Sequence, residues 1–106
     1  MGVVRDRVHC SATAAEVIDF LASGAGLPYR VKRLAGSPDI LLFSTEPSAF
    51  SWGEKTEVTV AAHSNGSTIF MRGARAWSLN ITSDPRTPVE RILAALTMKF
   101  GPLTQE

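Results

Sequence analysis

Hydrophobic positions recur along this chain with two different periods. From Val3 to Cys10 the pattern alternates, with Val4, Asp6, Val8 and Cys10 on one side and Arg5, Arg7 and His9 on the other, which predicts a strand. Asp6 interrupts the apolar side, so either the strand has a frayed start or a bulge breaks its period. The spacing then changes. Ala14, Val17, Ile18, Leu21 and Ala22 follow the i, i+3, i+4, i+7 rule of one helical face. Thr13 and Glu16 occupy the positions of a capping box and Gly24 that of the stop, which predicts a helix from Ala14 to Ser23.

From Tyr29 the period returns to two. Tyr29, Val31 and Arg33 alternate with Arg30, Lys32 and Leu34 until the turn residues Gly36-Ser37-Pro38-Asp39. Ile40 to Glu46 resumes as a strand whose apolar centre suits a central place in a sheet, and the two pair as a hairpin. A third run, Thr56 to His63, alternates Val58, Val60 and Ala62 with Glu57, Thr59 and Ala61. It ends at Ser64-Asn65-Gly66-Ser67, where Asn-Gly signals a hairpin because both central turn residues have to accept positive φ. The returning strand runs from Thr68 to about Trp77. The last element opens on Thr87-Pro88-Val89-Glu90, read as N-cap, N1 proline and capping-box glutamate. Val89, Ile92, Leu93, Leu96 and Phe100 make its apolar face, and Gly101-Pro102 ends it. The order β-α-β-β-β-β-α, over one domain spanning residues 1–106, predicts an α+β fold: a five-stranded antiparallel sheet with two helices packed on one face.

Composition narrows the class without naming a partner. With 44% hydrophobic and 20% charged residues, a disordered or fibrous chain is excluded. Lys and Arg number 11 against 10 Asp and Glu, and this net +1 offers no electrostatic case for nucleic acid or an anionic membrane. Cys10 is the one cysteine, so no internal disulfide and no CxxC arrangement is available. The N-terminal residues meet charge within five positions, and the longest apolar stretch is Ile40 to Phe43, far short of the roughly 20 residues of a membrane span. A soluble cytoplasmic protein with no membrane partner is expected.

The element order resembles the TATA-box-binding-protein-like fold and, in shape, the helix-grip fold of START and Bet v 1-like proteins. The resemblance covers nearly all of the chain as a topology and implies that the first and last strands are neighbours. It brings no catalytic motif, and these folds host nucleic-acid binding, lipid binding, enzymes and assembly modules alike. The segment Phe50-Ser51-Trp52-Gly53-Glu54 is similar to a motif of small uncharacterised bacterial domains, which implies no activity.

That same segment, from Pro47 to Glu54, is longer than a hairpin needs and carries two large aromatics in place of polar residues. Two readings stay open. Either Phe50 and Trp52 line the mouth of a pocket between sheet and helix, with Glu54 as its charged contact, or they fold back as a plug over the core. Trp77 either stacks with Trp52 or caps the core beside the final helix. His9 and His63 have no metal-ligand spacing to each other or to Cys10, so neither a metal site nor a cofactor is expected. His9 and Cys10, as strand neighbours, point to opposite faces and make no nucleophile–base pair, which leaves Cys10 as a small buried hydrophobe. If the first and last strands are neighbours, Arg5, Arg7 and Arg72 share the solvent face of the sheet, with Glu57 partly cancelling them. Without an RNP-like run or a GxxG loop, a solvated sheet face is the expected reading and nucleic acid is not the expected partner.

The sequence therefore predicts a small non-enzymatic module. Its leading reading is self-association or protein binding, motivated by open sheet edges and by aromatics near strand ends. The alternative is a small apolar ligand held between the sheet and the C-terminal helix by Phe50, Trp52, Glu54 and Trp77. A nucleic-acid-binding sheet face is the weaker alternative.

Overall fold

A computed structural model describes residues 3–34, 36–44, 54–75 and 86–105. The elements are β1 (Val3–Cys10), α1 (Ala14–Ala22), β2 (Arg30–Leu34), β3 (Ser37–Ser44), β4 (Glu54–His63), β5 (Gly66–Arg75), α2 (Arg86–Phe100) and β6 (Thr104–Gln105). The strands form one antiparallel sheet in the order β2-β3-β4-β5-β1-β6. The predicted α+β arrangement is present, with β1 beside β5, and the sheet gains a sixth strand. β6 is two residues long and pairs with Val8 and His9, too short to leave a periodic trace in the sequence.

Asp6 resolves differently from either expectation. The β1–β5 register runs unbroken from Val3 opposite Ala74 to Cys10 opposite Ser67, so Asp6 is in mid-strand with no bulge. It stays half-buried at the β1 edge, where its carboxylate accepts a hydrogen bond from the Gln105 side-chain amide of β6. An acid is tolerated on the apolar side because the short sixth strand supplies its donor.

The hairpins also shift by a residue or two from their sequence signals. Ser37 already pairs with Leu34 across a register irregularity, so the run read as a turn has begun β3. Pro38 lies at that irregularity, before Ile40 begins the pairing with β4, where a missing N–H costs no ladder bond. In the β4–β5 hairpin His63 pairs with Gly66, leaving Ser64 and Asn65 as the two turn residues. Gly66, at φ +139°, is the first residue of β5. A Cβ there would stand 2.1 Å from the Cys10 carbonyl oxygen, so this glycine answers a close approach of β1.

α1 begins and ends as its sequence dictates. The Thr13 hydroxyl accepts from the Glu16 N–H at 3.2 Å while the Glu16 carboxylate accepts from the Thr13 N–H and hydroxyl. Thr13→Ala is expected to cost about 1 kcal/mol, read from the shift of the urea midpoint at constant slope. α2 starts earlier than its signature: Arg86 and Thr87 are already helical, so Thr87 is not the N-cap. Pro88 fits because the first turn asks no N–H of it. At the other end Gly101, at φ +92°, donates its N–H to the Thr97 carbonyl at 2.9 Å.

Both helices cover one face of the sheet. Val17 and Leu21 of α1 and Val89, Ile92 and Leu96 of α2 are fully buried against Val8, Cys10, Leu41, Phe43, Val58, Val60, Ile69 and Met71. Phe20 and Phe100 meet edge to face at 5.5 Å and tie the two helices together. α2 packs on β5, β1 and β4. Four residues after Phe100 the chain pairs with His9, so the C-terminal end of α2 lies toward the Cys10 end of β1 and the helix runs back toward the opposite end of the sheet.

Candidate functional site

The helix-facing side of the sheet is mostly apolar, and one of its rows sets a buried hydroxyl beside a glycine. Val31, Phe43, Thr56 and Gly73 stand side by side across β2, β3, β4 and β5. Thr56 is completely buried, and its hydroxyl has no hydrogen-bond partner among the described residues. An unsatisfied buried hydroxyl costs about 1 to 3 kcal/mol, so most folds avoid one. Beside it Gly73, also buried, contributes no side chain, and an interior strand glycine marks a place where a ligand or another backbone approaches closely. Together they make a polar point beside a residue without a side chain, at the end of the sheet where α2 begins.

Concavities open elsewhere among the described residues, two of them relevant to binding. One, of about 490 Å³, lies between the α1–β2 turn and α2, lined by Phe20, Ala25, Leu27, Ala94 and Met98. Ala25 there has φ +54°, rare for a residue with a side chain. The other, of about 410 Å³, lies on the face of the sheet away from the helices, lined by Arg5, Asp6, Arg7, Glu57, Phe70 and Arg72 among others.

The residues singled out in the sequence fall unevenly on this frame. Phe50, Trp52 and Trp77 lie outside the described residues, as does most of the segment carrying the FSWGE motif. Glu54 is the first residue of β4, paired in register with Arg75. Cys10 is buried in the core, 1% exposed. His9 faces away from it, and its ring lies 6.1 Å from that of His63. Among the described residues no three His, Cys, Asp or Glu side chains gather as a metal site would require. Arg5 stands opposite Arg72, which stands opposite Glu57, so the basic row deduced from strand adjacency is present.

Thr56, Gly73 and Phe70 were not picked out by sequence reasoning, although a signal existed for each. Thr56 continues the inward series Val58, Val60, Ala62, and a hydroxyl in that series needs a partner. Gly73 interrupts a strand of otherwise side-chain-bearing residues, and Phe70 falls on the outward side of the same strand.

No family model matches the sequence, and no curated protein matches it. Among solved structures, the chain is similar to a START superfamily protein from Mycobacterium smegmatis, with a TM-score of 0.57 at 12% identity, covering 94% of this chain and 97% of that one. It also aligns with the di-domain aromatase/cyclase StfQ of the steffimycin biosynthetic pathway, at 14% identity and a TM-score of 0.41, covering 91% of this chain and 46% of that one. The likeness to the mycobacterial protein is one of fold: a START-like antiparallel sheet gripping a long C-terminal helix.

Proposed function

We propose that this chain is a non-enzymatic ligand-binding domain that holds a small, mostly apolar molecule between the sheet and α2, with the Thr56 hydroxyl as its hydrogen-bonding contact. The observation that carries this reading is the buried, unpartnered Thr56 hydroxyl beside Gly73. A ligand polar group there would satisfy the hydroxyl, while Phe43, Val58 and Met71 supply apolar wall, the usual division of labour in small-molecule sites. The START-like fold supports the same location, because its one long helix lies across the sheet.

Self-association through sheet edges has less support. β2 forms one edge and exposes Arg30, Lys32 and Arg33, charges that discourage strand pairing, and β6 covers part of the other.

The test uses N-phenyl-1-naphthylamine, an apolar fluorophore with one N–H donor. Saturable one-to-one enhancement is expected, and Thr56→Val is expected to weaken it by roughly 2- to 12-fold, the loss of one hydrogen bond. The same substitution is expected to stabilise the free protein by about 1 to 2 kcal/mol in urea, because it removes an unsatisfied buried group. Equal binding by wild type and Thr56→Val, or a destabilised free variant, contradicts the proposal.

A further inference from the structure

The outer face of the sheet has a composition that the near-neutral total charge conceals. Strand parity and register place Arg5, Arg7, Arg30, Lys32, Lys55 and Arg72 on this face, against Glu57 on the face itself and Asp6, which has the opposite parity but also lines the groove and accepts from Gln105. Lys32, Leu42, Glu57, Arg72 and Arg5 form one row across five strands, a span of about 19 Å at the usual strand separation. The adjacent row carries Ile40, Thr59, Phe70 and Arg7. Phe70 is 38% exposed near the centre of the sheet, and the Arg7 guanidinium lies over its ring at 5.6 Å from the centroid. The groove of about 410 Å³ runs between these two rows.

We propose that this face binds single-stranded nucleic acid, with phosphates on Arg5 and Arg72 and a base stacked on the Phe70–Arg7 platform. The occupant follows from charge and shape. A second copy of the chain would bring an equally basic face against this one and be repelled. An anionic membrane would engage the cations but has nothing flat for an aromatic that lies in a groove between them. A single strand alternates anionic phosphates with flat bases, which matches cations flanking an aromatic, and its bases are open to stacking as those of a duplex are not. The charge balance of the whole sequence argued against such a partner because it averages this face with acids located elsewhere, among them Glu16, Asp19 and Glu90. The site is on the opposite side of the sheet from Thr56, so each proposal stands or falls without the other.

The experiment is fluorescence anisotropy of a labelled mixed-sequence single strand of about 12 nucleotides, as DNA and as RNA, at about 50 mM salt, a length within the known range of such sites. Competitors are the matching duplex, inorganic polyphosphate and phosphatidylglycerol vesicles. The expected order has the single strand bound more tightly than any competitor. Phe70→Ala is expected to weaken the single strand by roughly 5- to 150-fold and leave polyphosphate binding unchanged, while Phe70→Tyr retains affinity. Joint Arg5→Ala and Arg72→Ala replacement should flatten the salt dependence by about 1.4 in log–log slope, two phosphate contacts' worth. Preference for the duplex, polyphosphate or vesicles overturns the proposal, as does unchanged strand affinity in Phe70→Ala. An unaltered far-ultraviolet circular dichroism spectrum and urea midpoint of Phe70→Ala serve as the check that the fold is intact.

Discussion

Gly66→Ala is expected to destabilise the protein by about 3 kcal/mol or more, the larger of its glycine effects. Two terms add. Gly66 has φ +139°, a conformation that costs any side-chain-bearing residue strain of order 1 to 3 kcal/mol. In addition, the new methyl would stand 2.1 Å from the Cys10 carbonyl oxygen and 3.1 Å from both the Cys10 carbonyl carbon and the Ser11 Cα. All three are backbone atoms, so no side-chain rotation relieves the contact and the end of β1 has to move away from β5. That movement breaks the Cys10–Ser67 pairing and the 3.0 Å hydrogen bond from the Ser67 hydroxyl to the Ala12 carbonyl, which fixes the entry to α1. Gly36→Ala is the control. Its φ is also positive, at +78°, but nothing lies within 4 Å of its added methyl, so it bears strain alone and is expected to cost about 1 to 2 kcal/mol. Urea unfolding followed by circular dichroism separates the two, and equal losses would show that the approach of Cys10 is not what reserves position 66 for glycine.

The same glycine illustrates what the sequence could and could not disclose. Asn65-Gly66 correctly announced a reversal between two strands, because turn chemistry is local. It could not announce that glycine is needed for contact with a residue 56 positions earlier, because that contact exists only once β1 is seated beside β5. Periodicity worked wherever one face of an element is buried and the other wet: Val17 and Leu21 in α1, Val58 and Val60 in β4, and Ile92 and Leu96 in α2 were all assigned to the core and are buried there. It failed at β6, where two residues make no period, and at the start of α2, where a good capping sequence was passed over by a helix that had already begun.

The candidate sites were legible in a different measure. The placement of Arg5 beside Arg72, with Glu57 partly cancelling them, followed once the resemblance in topology made β1 and β5 neighbours, since parity then fixes the face. Phe70 was overlooked because an aromatic in a strand reads by default as core, and its outward parity was not combined with that of Arg7. Thr56 was overlooked for the converse reason. A threonine in a strand reads as an ordinary β-former, and the fact that makes this one significant, a hydroxyl with 0% exposure and no partner among the described residues, is a property of packing from several elements at once. The segment with Phe50 and Trp52 precedes Glu54, the first residue of β4, in the sequence, and Thr56 follows two residues later.

Phe43→Ala is expected to be the most damaging side-chain truncation, at about 3 to 5 kcal/mol, while Phe70→Ala is expected to cost less than about 1 kcal/mol. The two residues are chemically identical and sit two strands apart in one sheet, so propensity and composition cannot distinguish them. Parity does. Phe43 is in register with Val31 on one side and Thr56 on the other, on the face the helices cover, and is 1% exposed. Removing its ring deletes buried apolar area and leaves a void that neighbours on three strands cannot close. Phe70 is in register with Thr59 and Arg7 on the opposite face, where water replaces whatever the ring gives up. Denaturant titration of both variants measures the difference directly, and comparable losses would mean that the outer face is buried and unavailable to a partner. The void in Phe43→Ala also borders Thr56, so N-phenyl-1-naphthylamine should raise the urea midpoint of this variant by more than it raises that of Phe70→Ala, because a bound molecule can refill space only on the helix-facing side.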